Sequence, residues 1–363
     1  MAVVAINIDP DLYQRITKRI REGGYLDLVQ FFDLAARNQL ALEATPGLET
    51  SSPQRRGGRT SDAEVAERGF ISPTRGGEDA HTRDGAGRPR DEWRALVRRA
   101  EMPSDRFARP DVDPEPDHLL WGQTNRLLPV AVGVRVLANL LGDSDGVPPA
   151  NWFDKATAVA TALRDDLRAW DARASRPHGT RWATAFPERK ESSAQRYVNQ
   201  FLGAPAREGG SDGGAVFLGL ATIFGSGENA RASLTTSGAE WAALPNPIFD
   251  ADDEADPERT FSEEEARFFL KHLREFRLGE YRFLNTVAAL VAQGMSREDL
   301  NDAIAQAYPA WASVATTMRA GAIGRLGDLG LLERSRRGLH VDYRLSPLAT
   351  SLGLPEATEV VGR

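Results

Sequence analysis

A strand with no partner constrains this chain more than any other feature. Residues Val3-Val4-Ala5-Ile6-Asn7-Ile8 alternate with period two, placing Val4, Ile6 and Ile8 on one side and Val3, Ala5 and Asn7 on the other. No second strand lies nearby in sequence to pair with them. Asp9 then stands where a helix N-cap belongs, Pro10 at the first helical position and Asp11 in the first turn, so three independent signals start a helix there. Leu12, Ile16 and Ile20 recur every fourth residue as its buried stripe. Beyond the break at Gly23-Gly24, a second helix carries Leu28, Val29, Phe31, Phe32, Ala35, Ala36, Leu40 and Leu42 over more than half its surface. That is more apolar area than such a short segment can hide alone, and a second copy of the chain would hide it.

Strand, helix, short Gly-containing turn and wide-faced helix together resemble the ribbon-helix-helix family of DNA-binding dimers. The resemblance covers residues 1–44. It implies a homodimer joined through Val4, Ile6 and Ile8 of the ribbon and Phe31 and Phe32 of the second helix. It also implies base reading in the major groove by Val3, Ala5 and Asn7. Of these three only Asn7 can hydrogen-bond a base edge, and no Lys or Arg flanks the strand.

At 363 residues the chain has room for two or three domains. Having no cysteine excludes disulfides, thiolate catalysis and Cys-based zinc sites, and suits a reducing cytoplasm. No basic n-region precedes an apolar run at the start, and Arg135 interrupts the apolar stretch Leu128 to Leu141, so neither a signal peptide nor a membrane span is expected. Only four lysines (Lys18, Lys155, Lys190, Lys271) stand among 45 basic residues. With the Asp excess, this usage points to a high-GC, salt-adapted source such as a halophilic archaeon. A net charge of −7 argues against indiscriminate binding of nucleic acid, so any DNA contact must come from local patches.

Residues 45–115 are mostly Gly, Pro, Ser, Asp, Glu and Arg, and read as a disordered linker with a short helix near Asp91 to Arg99. The acidic run Asp250 to Asp256 marks a second boundary. Between the two, residues 116–249 read as helices at Leu128–Leu141, Phe153–Ala172 and Arg189–Leu202, strands at Val216–Phe224 and Ala230–Leu234, and a short helix at Thr236–Leu244. A similar order follows in 258–349, with helices at Ser262–Phe276, Tyr281–Gln293, Arg297–Tyr308 and Ala310–Leu329, then a hairpin from Leu332–Arg336 and His340–Leu345. Three helices followed by a two-stranded wing resemble winged helix-turn-helix regulators. The second copy is the more specific match: Gly330 ends the helix, Leu331 and Leu332 start a strand, and Arg336-Arg337-Gly338 turns the wing. The expected fold class is therefore mostly α with small β: an N-terminal ribbon-helix-helix, a disordered linker, two winged helix-turn-helix domains and a tail from residue 350 to 363.

On the helix from Arg189 to Leu202, Ala194, Tyr197, Val198, Phe201 and Leu202 share one face. This leaves Ser192, Arg196, Asn199 and Gln200 on the other, and Arg, Asn and Gln are the side chains that pair bidentately with guanine and adenine edges. Arg189 and Lys190 stand at its start, where they can hold a phosphate. Any amphipathic helix has a polar face, so a plain solvent-facing surface stays open beside the reading role. The corresponding helix of the second copy buries Val314, Met318, Ala322, Leu326 and Leu329, and its opposite face of Thr316, Ala320, Ile323, Gly324 and Gly327 is small and uncharged, better suited to a protein partner than to phosphates. Arg334, Arg336 and Arg337 give the wing a local positive patch.

Catalysis finds little support. The five histidines are scattered without metal-ligand spacing, Ser192, Ser193 and Ser226 lack a nucleophile elbow, and Gly209 to Gly214 has no following Gly-Lys-Ser/Thr. The expectation is a non-enzymatic, cofactor-free reader of double-stranded DNA, a dimeric transcription regulator or DNA-recognition subunit. The alternative is an adaptor in a defence or plasmid-maintenance complex that docks proteins through its winged helices.

Overall fold

The computed structural model describes Thr17 and residues 89–113, 115, 118–176, 180–203, 213–250, 257–337 and 340–356. Apart from Thr17, the segment expected to form a ribbon and two helices, and with it Asn7, Val4, Ile6, Ile8, Phe31 and Phe32, lies outside the described residues, as do 45–88 of the stretch read as linker. The chain divides into two units, residues 1–80 and 81–363. The second unit is mostly helical, with two small antiparallel sheets.

The short helix expected near Asp91 to Arg99 is present, and the described part of the stretch read as linker is packed into the core around it, with Trp93, Val97 and Phe107 buried. Helix α1 (Pro89–Leu96) and the residue after it bury Trp93 and Val97, and the Trp93 indole donates to Asp166 at 3.0 Å. The exit of α1 is tied to α2 (Leu128–Leu141): Asn139 donates to the carbonyls of Leu96 and Arg98 at 3.2 and 2.9 Å. Two aromatic or branched side chains in a polar stretch suffice here because a large core already exists for them to join.

Helix α2 is apolar on every side and accordingly central, with its middle and both ends buried. Its single charge, Arg135, is 2% exposed and is satisfied by a two-pronged pair with Asp250 at 3.0 and 3.2 Å and by the carbonyls of Val97 and Leu244. The free amides at the start of α2 meet a carboxylate from the far end of the chain: Asp328 accepts from Leu127 at 2.8 Å and Leu128 at 3.5 Å. Helix α3 (Pro149–Arg173) begins on a proline, as first helical positions favour, and seats Trp152 against α2 with its indole donating to the Gly133 carbonyl at 2.8 Å.

Helix α4 (Glu191–Tyr197) starts two residues later than expected and widens into a π turn over Val198–Leu202, closed by the Gly203 amide on the Val198 carbonyl at 3.1 Å. The strand expected from Val216 is instead a helical turn, α5 (Gly214–Phe217), followed by a shorter β1 (Ala221–Phe224). The physical reason is burial without alternation: Phe217, Leu218, Leu220 and Ala221 are all in the core, and no half-buried strand has that pattern. Strand β2 (Arg231–Leu234) pairs antiparallel with β1, Ala221 opposite Leu234 and Phe224 opposite Arg231. Helix α6 (Thr236–Ala242) is capped by Thr235, whose hydroxyl accepts from Gly238 at 3.1 Å.

Helix α7 (Glu263–Phe276) opens on a capping box, Ser262 accepting from the Glu265 amide at 3.1 Å while Glu265 accepts from the Ser262 amide at 2.8 Å. Then come α8 (Leu278–Ala292), α9 (Arg297–Ala307), capped by Ser296, and α10 (Ala315–Asp328), preceded by a 3-10 turn at Pro309–Val314. Gly330, at φ +70°, stops the helix, and β3 (Leu332–Arg337) pairs with β4 (His340–Leu345) before the short α11 (Pro347–Ser351).

Shared packing crosses the boundary expected near Asp250. The Trp241 ring stacks on Phe261 with centroids 5.9 Å apart and also meets Phe269, and the Asn246 amide donates to Thr260 at 3.0 Å and Glu265 at 2.9 Å. One continuous core runs from Trp93 to Leu354.

Candidate nucleic-acid interface

The inner face of α4 and its π turn is anchored by Tyr197, Phe201 and Leu202. The Tyr197 hydroxyl donates to the Pro129 carbonyl at 3.1 Å, and full burial raises its phenol above the ordinary value and keeps the proton in place for that bond. With this face fixed, Ser192, Gln195, Arg196 and Asn199 are exposed and Gln200 is half-buried. The amides are already aligned: Gln195 donates to Asn199 at 2.9 Å, and Gln200 donates to Gln123 at 2.8 Å. Gln123, Asn125 and Gln195 extend the candidate surface beyond the residues the sequence singled out. Gln195 was legible from the helix period; the two loop residues had no local signal.

Arg189 and Lys190 stand at the helix start, beside carboxylates. Arg189 pairs with Asp165 at 3.1 Å and Lys190 with Glu188 at 3.6 Å. Arg164, at 2.9 Å, and then Lys190 hold the Glu188 carboxyl below its usual range. The Arg189 and Lys190 side chains are mostly exposed, and pairs of that kind contribute little, so a phosphate can displace them.

Helix α10 buries Met318, Ala322, Leu326 and, just beyond its end, Leu329, as the period requires; Val314, just before its start, is half-buried. Its small face is only partly free. A Cβ on Gly324 would lie 2.1 Å from the Asn125 carbonyl oxygen, one on Gly321 2.6 Å from Gly122 Cα, and one on Gly122 2.2 Å from the Thr317 carbonyl oxygen. The close approach expected with a partner is thus made, at these glycines, by the chain's own loop. Thr316, Ala320 and Gly327 remain exposed, and Ile323 is half-buried. Thr124 joins the two helices: its hydroxyl donates to the Gln200 carbonyl at 2.9 Å, and its own carbonyl accepts from Arg325 of α10 at 2.8 Å.

In the hairpin, Arg334 is exposed opposite Tyr343, Glu333 faces Arg344, and Ser335 faces Asp342. Arg336 and Arg337 occupy the register positions opposite Val341 and His340 at the turn end; their side chains lie outside the described residues. His81 and His178 also lie outside them. His118 meets Asp113 at the surface, and buried His272 bonds the Leu218 carbonyl at 2.6 Å. Among the described residues no group of three His, Cys, Asp or Glu is placed to hold a metal ion, and no helix is long and apolar enough to cross a membrane.

No protein-family model, curated protein or solved structure matches the chain.

Proposed function

We propose that this protein reads duplex DNA through α4 and its π turn, as a dimer joined by residues 1–44, with 258–349 serving as a winged helix-turn-helix whose hairpin adds a phosphate contact. The observation that carries the reading is the set of exposed Gln195, Arg196 and Asn199 on a helix whose other face is locked into the core. Arg and amide side chains held rigidly on one helix face are the chemistry that distinguishes guanine and adenine edges in the major groove. Exposed Arg189 and Lys190 at the helix start supply phosphate contacts that fix its register.

Selection of bound sequences from random duplex DNA by the full-length protein, followed by a salt titration of the winner, tests this. An enriched two-fold motif whose affinity falls steeply with salt is the expected result. Arg196→Ala and Asn199→Ala should each cost about 1–3 kcal/mol of affinity for that site. No enrichment, or a selected site indifferent to both substitutions, overturns the assignment.

A non-catalytic adaptor is the second reading. It is favoured by the carboxylates beside Arg189 and Lys190, by the net charge of −7, and by the uncharged Thr316 and Ala320 left exposed on α10. In that case substitutions at Thr316 and Ala320 impair capture of a protein partner and leave DNA affinity untouched.

A further inference from the structure

Helix α7 carries a line of cations that the reading surface does not use. Arg267, Lys271 and Arg274 are exposed at i, i+4 and i+7, on one side of the helix and about 10 Å from end to end along its axis. They border a groove of about 250 Å³ whose lining includes Leu270 and Leu352. Among the described residues neither Arg267 nor Lys271 has an acidic partner; Glu263, one turn before Arg267, is engaged with Arg259 at 3.5 Å. The third cation is held: Arg274 pairs with Glu356 at 2.9 Å, and the Tyr281 hydroxyl meets the same carboxylate.

We infer that this groove binds a small phosphate-bearing organic anion, its phosphate held by Arg267 and Lys271 and its apolar part resting on Leu270 and Leu352. Arg267, Lys271 and Arg274 line the groove against one carboxylate, Glu356, and a phosphate offers these cations charge-assisted hydrogen bonds. The apolar wall favours a compact organic phosphate over the backbone of a duplex, because backbone contact uses cations on an open surface and gains nothing from leucine beneath them. Glu356 is the tuning element: its carboxylate repels an arriving anion and occupies Arg274. A ligand long enough to reach that end displaces the pair and gains the third cation. This site is independent of the reading role of α4.

The test is calorimetric titration of the full-length protein at low salt with inorganic pyrophosphate and, separately, with adenosine monophosphate. Binding of at least one probe is expected, about tenfold weaker in Arg267→Ala/Lys271→Ala, where one strong charge-assisted bond or more is lost. Glu356→Gln should bind more tightly than the parent, since it removes the repelling charge and frees Arg274. Tighter binding of the nucleotide than of pyrophosphate would confirm use of the apolar wall. Both substituted cations are exposed, and unchanged thermal stability of the variants separates lost binding from lost folding. Neither probe binding, or binding indifferent to all three substitutions, overturns the inference. So does a duplex whose affinity falls in the double variant while both small probes fail, since the cations then serve a nucleic-acid backbone.

Discussion

Arg325 and Glu280 face each other at 2.8 Å with both side chains wholly excluded from solvent. Burial pushes the Glu280 carboxyl up, while Arg325 opposes that shift and the Leu120 amide donates to the carboxylate at 3.0 Å. Arg325 also donates to the Thr124 carbonyl, so the pair clamps the loop before α2, whose Thr124 bridges α4 and α10. Removing either partner leaves a buried charge unanswered. Glu280→Leu or Arg325→Met alone should cost about 3–5 kcal/mol, and the double variant should recover most of that loss. Urea denaturation of the four proteins measures the coupling; additive losses would refute it.

The glycines of α10 divide by what lies above them. Gly324→Ala drives a Cβ into the Asn125 carbonyl and should destabilise by about 1–3 kcal/mol. Gly327→Ala, with nothing within 4 Å, should stabilise by about 0.5–1 kcal/mol through the better helix propensity of alanine. Thermal denaturation of the two variants gives the sign of each.

Asp328 caps a helix two hundred residues earlier in the chain, accepting from the amides of Leu127 and Leu128 while paired to Arg126 at 2.5 Å. Asp328→Ala strands these donors and should cost about 2–3 kcal/mol, with early loss of amide-exchange protection at the start of α2.

His272 predicts an acid-side loss of stability. Burial is the main reason its imidazole is held down from the usual 6.5 to about 4, and the bond to the Leu218 carbonyl places its proton on Nε2. The unfolded chain therefore takes up a proton near pH 6.5 that the folded chain refuses until about pH 4. The contribution is complete above 6.5 and falls by on the order of 3 kcal/mol as the pH drops to 4. His272→Leu should remove one proton from the slope of stability against pH across that window, read from urea midpoints at several pH values.

Arg334 and Arg196 should fail differently on a selected DNA site. Arg334→Ala, in the hairpin, should weaken all sequences alike and reduce the salt slope by about one. Arg196→Ala should relax discrimination at a single base pair. Binding isotherms on the selected and single-substituted duplexes, at two salt concentrations, distinguish the two patterns.

Element existence was legible because it rests on neighbours close in sequence. The apolar run of α2, the stop at Gly330 and the buried stripe from Met318 to Leu329 each follow from contacts within one or two turns. The polar face of α4 was legible for the same reason. Where local pattern alone misled, as at Val216 to Leu220, unbroken burial in the core had replaced the alternation a strand needs.

From its residues alone the chain determined which segments form the longer helices, which face of the amphipathic ones is apolar, and that no thiol chemistry is open to it. Tertiary structure decided how these pieces combine. It carried one core across the acidic boundary, set Gly122 and Asn125 against Gly321 and Gly324, brought Gln123 beside Gln200, and placed Asp328 at the start of α2. The reason is physical: contacts between residues up to two hundred positions apart leave no period in the sequence, and only packing decides which surfaces meet.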